Sequence, residues 1–329
     1  MSVGRAALTR VANRPVGAVG YGLLSLSIPW APVDHDAALE LMKAALNHGA
    51  NFWNGGIHYG TSTANSLHLL RHYFQKYPED ADKVVLSIKG AYDMKKGPVG
   101  SADGIRASVM EALNVLAGFK GIDVFEMARV DPEIPIETSM RAMADLVKEG
   151  KIGGIGLSEV SATTIQKAHA VHPIAAVEIE LSLFTPDPLK NGIMDMCHEL
   201  SIPVIAYSPV GRGWLTDKYR TLDDLPENDM RRHLPRFKPN AFDQNFKLVE
   251  AVEKMAKRKD LATSQVAIAW VARQGAIPIP GSTSANRIAL NSKVEALMDE
   301  DMQELQKVMD DFPIAGERYG GVHEKFLNA

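Results

Sequence analysis

Several short stretches of this 329-residue chain end an apolar run with side chains able to move a proton or steady a charge. WNGGIHYG (53–60) delivers Asn54, His58 and Tyr59 around two glycines, SIKG (87–90) delivers Lys89, and EMARVDP (126–132) delivers Arg129. GLSEV (156–160) offers Ser158 and Glu159, VEIELS (177–182) offers Glu178, and AYSPVGRG (206–213) offers Tyr207 and Ser208. PGSTSANR (280–287) places small polar residues ahead of Arg287. A free phenol keeps its proton up to a pKa near ~10, and a neighbouring cation makes that proton easier to release. Tyr59 and Lys89 are the residue types for such a pair, and Arg129 carries a fixed fork of donors suited to a charged oxygen. Each also has a plain structural reading. A tyrosine can pack at a strand end, a lysine can snorkel from one, Tyr207 can be core, and Arg129 can pair with Asp131 or Glu126.

The elements that would position these residues alternate regularly. Runs rich in Val, Ile and Gly recur at 20–27, 50–56, 83–90, 122–130, 152–160, 175–184, 203–211 and 276–284. Between them lie stretches with helical periodicity, such as DAALELMKAALNHG and IETSMRAMADLVKEGKI, several ending in Gly as a helix C-terminus does. Eight such units, with buried strands that do not alternate strictly, predict a (β/α)8 barrel (TIM barrel) in the α/β class. No Pro- or Ser-rich linker interrupts it, so one domain over 1–329 is expected, with a C-terminal tail over 311–329. Residues 212–246 are too long for an ordinary connection and predict a loop over the barrel mouth. Its RRHLPRFKP segment reads equally as a solvated basic loop or as a flap over phosphates. In such barrels the C-terminal ends of the strands form the rim where chemistry is done, and the residues named above stand at those ends.

Composition narrows the class of function. At 46% hydrophobic the chain can bury a large core, and a net charge of −4 with both signs mixed gives no field that would gather nucleic acid or an anionic membrane. A single cysteine, Cys197, fits a reducing compartment, and the lack of clustered Cys and His argues against structural zinc. No apolar run reaches the ~20 residues of a membrane helix. The N-terminal MSVGRAALTRVANR lacks the apolar centre of a secretory signal, although its basic, acid-free composition is shared with organelle presequences. A cytoplasmic protein is expected.

WNGGIHYG, SIKG, ARVDP, GLSEV, AYSPVGRG with WLT, PRF and IPIPGSTSANR together resemble the aldo-keto reductases over nearly the whole chain. WNGG, ARVDPEIPIE and GLSEVSA look most like the fungal branch that reduces pyridoxal to pyridoxine with NADPH. The resemblance implies that Tyr59 is the general acid and Lys89 the cation that eases its proton. It implies that Tyr207 stacks on the nicotinamide, and that Ser158 with Glu159 and Glu178 lies where the carboxamide binds. Gly22, Leu23, Ser208, Pro209 and Gly211 fall at the same cofactor-facing rim. Gly281, Ser282 and Thr283 fall where phosphate is held, Arg287 where the 2′-phosphate is gripped, and Asn291 where adenine is met. Helix capping by Ser282 or Ser284 is compatible with that role.

Two departures from the family pattern stand out: Asn54 replaces the usual aspartate beside the lysine, and Arg129 replaces the usual histidine. Both changes are expected to make the site more positive and to alter substrate choice. A broad carbonyl reductase, and an NADPH-sensing regulatory subunit of the reductase fold, remain as other readings. No metal is expected, and the sequence does not set the oligomeric state.

Overall fold

The computed structural model describes residues 9–29, 31–216 and 218–329. Most of the basic N-terminal segment lies outside them. Eight short parallel strands curl around one axis: Tyr21–Gly22 (β3), Phe52–Gly56 (β4), Val85–Gly90 (β5), Val124–Met127 (β8), Ile155–Ser158 (β9), Ile174–Glu180 (β10), Val204–Tyr207 (β11) and Ala276–Pro278 (β12). Each pairs in parallel with the next in this order. The ring closes where the Gly20 amide donates to the Pro278 carbonyl at 2.9 Å. A Cβ on Gly22 would stand 2.9 Å from the Ile279 carbonyl oxygen, so the seam between first and last strands admits no side chain there. This is the expected (β/α)8 barrel.

Alternation along the strands sorts the interior into layers. Phe52, Val85, Val124, Ala176, Ile205 and Ile277 make a dry layer at the bottom. Two residues further along the same strands, on the same face, stand Asn54, Ser87, Glu126, Glu178 and Tyr207. The barrel thus changes from apolar to polar within one pleat. A hairpin of Arg10–Val11 (β1) and Arg14–Pro15 (β2) turns through Ala12 and Asn13, both in the left-handed region, and seats Val11 and Val16 beneath the apolar layer. Arg14 ties it down through Asp123 at 2.7 Å and the Val84 carbonyl at 3.0 Å.

The helices form where periodicity places them, and Asp34, Asn65, Ser101 and Ser161 cap theirs by accepting from backbone amides. Gly49 and Gly150, each with positive φ, end the helices His35–Asn47 and Ile136–Lys148 as the HG and EGK patterns predict.

Three expectations need correction. The apolar run 20–27 is a strand only over Tyr21–Gly22, and Leu24–Ser27 is a helical turn. The loop expected over 212–246 ends sooner, because Pro239–Arg258 is a single long helix with Pro at its first turn. RRHLPRFKP is not a solvated loop: Leu234 and Phe237 are buried, and its arginines bind this chain. Arg231 holds Asp229, the Arg212 carbonyl and Tyr219, and Arg236 holds Thr185 and the Gly316 carbonyl. A second small hairpin, Tyr92–Asp93 (β6) with Gly97–Pro98 (β7), follows β5 at the rim.

Asp123 joins the N-terminal hairpin to the barrel, accepting from Arg14, from the Leu86 amide at 2.8 Å and from Lys120 at 2.9 Å. Replacing Asp123 by Ala strands these donors and is expected to lower unfolding stability by about 1–3 kcal/mol. Urea denaturation followed by circular dichroism measures the loss.

Candidate active site

Lys89 stands at the centre of the polar layer, 4% exposed, with the strands on both sides supplying its partners. Its ammonium lies 3.1 Å from Glu126 Oε2 and in direct contact with Glu178 Oε1, and it donates to Asn54 Oδ1 at 3.3 Å. Asn54 Nδ2 donates in turn to Glu178 at 2.6 Å and to Glu126 at 3.2 Å, and Ser87 Oγ donates to Glu126 at 2.7 Å. Taking an ammonium out of water is costly unless its charge is matched nearby. Here burial works against the charged lysine, and Glu126 and Glu178 outweigh it, holding the proton on Lys89 well above the usual range. Burial and the neighbouring Glu126 push the Glu178 carboxyl well up, against the pull of Lys89. Beside the carboxylate that Asn54 does not supply, β8 and β10 bring two carboxyl groups to the ammonium. Glu178, expected at the carboxamide, has both oxygens engaged by Lys89 and Asn54.

Tyr59 sits one turn above this layer. Its ring lies over Gly56, where a Cβ would come within 3.1 Å of the ring, so the second glycine of WNGG makes the tyrosine's seat. Burial pushes the Tyr59 hydroxyl up to about 12, Glu178 and Glu126 act in the same sense, and Lys89 and Arg129 pull the other way. The phenol is thus protonated throughout the neutral range. His58 packs edge-on against it with centroids 4.9 Å apart. Burial, then Lys89 and Arg129, hold His58 down at about 4, so the imidazole is neutral. Sequence reasoning gave it no role.

Arg129 faces the same space. Asp131 is taken by the Gly100 and Glu133 amides and Glu126 by Lys89, so neither pairs with Arg129 as its structural reading supposed. Its guanidinium donates to the Ala128 carbonyl, and no described carboxylate forms an ion pair with it. Burial disfavours its charge, and Tyr207, Tyr319, Glu159 and Tyr59 more than offset this.

The tail after the helix Asp299–Asp311 returns across the mouth and brings residues that sequence reasoning missed. Arg318 grips Glu159 through two bonds of 2.8 Å, reaches Glu180 at 3.1 Å and donates to the Tyr207 hydroxyl at 2.8 Å. Tyr319 meets the same hydroxyl at 3.1 Å, with the Arg212 guanidinium 4.2 Å above its ring. Arg212 also holds Glu180 at 2.8 Å. The one sequence signal was VEIELS itself, which puts two glutamates on one face of a buried strand. For Glu126 the signal was Gly156, in the middle of the neighbouring strand.

The expected cofactor residues form an arc beside this mouth. Gly22 and Gly281 face each other so closely that a Cβ on Gly281 would lie 2.9 Å from the Gly22 carbonyl oxygen and 3.1 Å from Ser25 Oγ. Leu23 is buried, and its amide donates to the Asn54 carbonyl at 2.9 Å. Glu159 and Ser208, at the rim exits of β9 and β11, both have positive φ, and Pro209 and Gly211 carry the chain into the long connection. Ser282 Oγ accepts from the Ser284 amide at 3.2 Å, Thr283 and Arg287 are exposed, and Asn291 accepts from Ser264 at 3.0 Å. Ser158 Oγ and Ser25 Oγ are buried without a hydrogen-bond partner among the described residues. Two unpartnered hydroxyls on the arc suit a polar ligand.

Residues 18–310 match the model of the aldo/keto reductase family, and the chain belongs to that family. It is 42% identical to "Probable pyridoxal reductase 2" of Schizosaccharomyces pombe, over 95% of this chain and 97% of that one. It is 33% identical to the aldo-keto reductase yakc of the same yeast, whose name specifies NADP(+), over 94% of this chain and 93% of the relative. In fold it resembles a glycerol dehydrogenase from Gluconobacter oxydans, with a TM-score of 0.82 at 23% identity, covering 98% of this chain and all of that one.

Glu180 is a pH-sensitive fastening of this mouth. Although burial opposes its charge, Arg212, Arg318 and Arg236 hold its carboxyl down at about 2, against an ordinary value of 4.5. A depressed carboxyl stabilises the fold fully above its unfolded pKa and loses that contribution as pH falls through the folded one. Melting temperature is therefore expected to decline as pH drops from 4.5 towards 2, and Glu180→Gln to flatten that part of the curve.

Proposed function

We propose that this chain reduces pyridoxal to pyridoxine with NADPH. The observation that carries the reading is Tyr59, seated on Gly56 at the rim with a protonated phenol, in the electrostatic reach of both Lys89 and Arg129. The likeness to the yeast pyridoxal reductase supports the substrate, and the NADP-specified relative supports the nucleotide.

The residues fit the cofactor. Ser158 and Ser25 offer free hydroxyls, and the facing glycines 22 and 281 leave backbone exposed to a ligand. Ser158, Tyr207 and Ser208 would hold the nicotinamide end, with Leu23, Pro209 and Gly211 shaping the wall. Gly281, Ser282 and Thr283 would hold the pyrophosphate, Arg287 the 2′-phosphate and Asn291 the adenine. When bound, NADPH supplies the hydride.

The chain's own part is proton transfer and charge placement. Tyr59 gives its hydroxyl proton to the aldehyde oxygen as charge gathers there, and Lys89 steadies the phenolate left behind. Arg129, without a carboxylate of its own, offers paired donors to the aldehyde oxygen or to the ring phenolate of pyridoxal. The neutral His58 closes the side of the pocket against Tyr59.

Tyr59→Phe removes the proton donor and no cofactor contact, so kcat for pyridoxal is expected to fall at least ~100-fold while NADPH binding is kept. Steady-state NADPH oxidation with an aldehyde panel, beside fluorescence titration of the nucleotide, measures both. A panel in which pyridoxal is among the poorest substrates would remove the substrate assignment. Arg287→Ala should weaken NADPH by at least about tenfold and leave NADH nearly unchanged, since only NADPH carries the extra phosphate. Parallel titration of the two nucleotides checks it.

A further inference from the structure

We propose that Glu126 and Glu178 share a single proton beneath the lysine, and that Glu126 acts through Lys89 as a positioning residue that sets the pH range over which Tyr59 gives up its proton. The kinetic part rests on the reductase reading above; the shared proton does not.

Glu126 is in register with Lys89 on β5 and with Gly156 on β9. A Cβ on Gly156 would lie 2.3 Å from Glu126 Cγ, so a side chain is missing from the middle of β9 where this carboxyl group passes. Glu126 is wholly buried and is met by Ser87, Asn54 and Lys89. Glu178 takes hold of two of the same donors, the Asn54 amide and the Lys89 ammonium. Two carboxyl groups converging on one nitrogen, away from water, cannot both ionise cheaply. With one proton between them the group of Lys89, Glu126 and Glu178 is neutral, and without it the charge is −1.

The other groups facing the pair are the Ser158 hydroxyl from β9 and, above it, Tyr59, Arg129 and a neutral His58. The upward push on Glu178 by burial and by Glu126 agrees with a retained proton. Losing that proton adds a negative charge below Tyr59 and makes the phenol a weaker acid. Reduction should then decline along an alkaline limb lying below the one that belongs to Tyr59 itself. Asn54, the uncharged member, touches the same three groups. Asn54→Asp with Glu126→Gln therefore moves one carboxyl across the ammonium while keeping the number of carboxyls.

Infrared spectroscopy of the whole protein reads the shared proton without turnover. The wild type at neutral pH should show the carbonyl stretch of a buried carboxylic acid. The band should vanish in Glu126→Gln and in Glu178→Gln, each of which leaves one carboxylate for one ammonium, and return in the double exchange. In the pH profile of kcat/KM, Glu126→Gln should move the alkaline limb upward by at least about one pH unit, and the double exchange should restore it. A wild type without the band, a band unchanged in Glu126→Gln, or superimposable profiles would overturn the proposal. If Glu126→Gln does not fold, the wild-type band and its loss in Glu178→Gln decide. If no aldehyde is reduced, the proposed function fails and the infrared result still decides the proton.

Discussion

A single ammonium enclosed by the barrel governs the arrangement of the mouth. Lys89 is out of water, so its charge must be answered by groups on neighbouring strands, and parallel register fixes which positions those are. Glu126 meets it from β8, Glu178 from β10, and Asn54 from β4 as a bridge that accepts from the lysine and donates to both acids. Ser87 and the empty position at Gly156 follow from Glu126 in turn. The apolar layer below, sealed by the N-terminal hairpin, keeps water from entering at the bottom.

A second, separate set of charges organises the outer rim. Glu159 and Glu180 are met by Arg318 and Arg212, so acids from the two adjacent strands β9 and β10 are served by arginines of the tail and of the connection after β11. Tyr207 is hydrogen-bonded into this set through Arg318 and Tyr319. Arg129 stands between the two sets and is paired with a carboxylate in neither. The inner set steadies a proton donor and the outer set shapes the opening, which separates chemistry from access.

The eight strands were readable from their apolar runs, but each run overstated its strand, because the pattern extends beyond the ladder bonds at one end or the other. LLSLS shows the limit, since a short apolar run has the same look as strand or helical turn. The N-terminal hairpin left no periodicity to find, its strands being two residues each. At the site, the residues at the ends of strands could be named because barrel geometry sends them to one rim. What could not be read was which charges meet. Glu126 and Glu178 stand a quarter of the barrel apart in space, with one strand between theirs, and 52 residues apart in sequence, and only the closed ring brings them onto one nitrogen. Arg318 lies in a segment without regular structure, where no pattern indicates a destination.

The route of the tail also imposes an order on synthesis. Chains emerge N-terminus first, and elements can begin to fold as they appear. Glu159 and Glu180 are therefore made well before the guanidinium of Arg318 that they share. The barrel itself closes only when Pro278 reaches the Gly20 amide, so neither the seam nor the rim can be completed until most of the polypeptide has left the ribosome. Until then the acidic side of the mouth is short of a counter-charge and stays open to water, and the nascent barrel is finished from the outside, with its last cation acting as the final fastening.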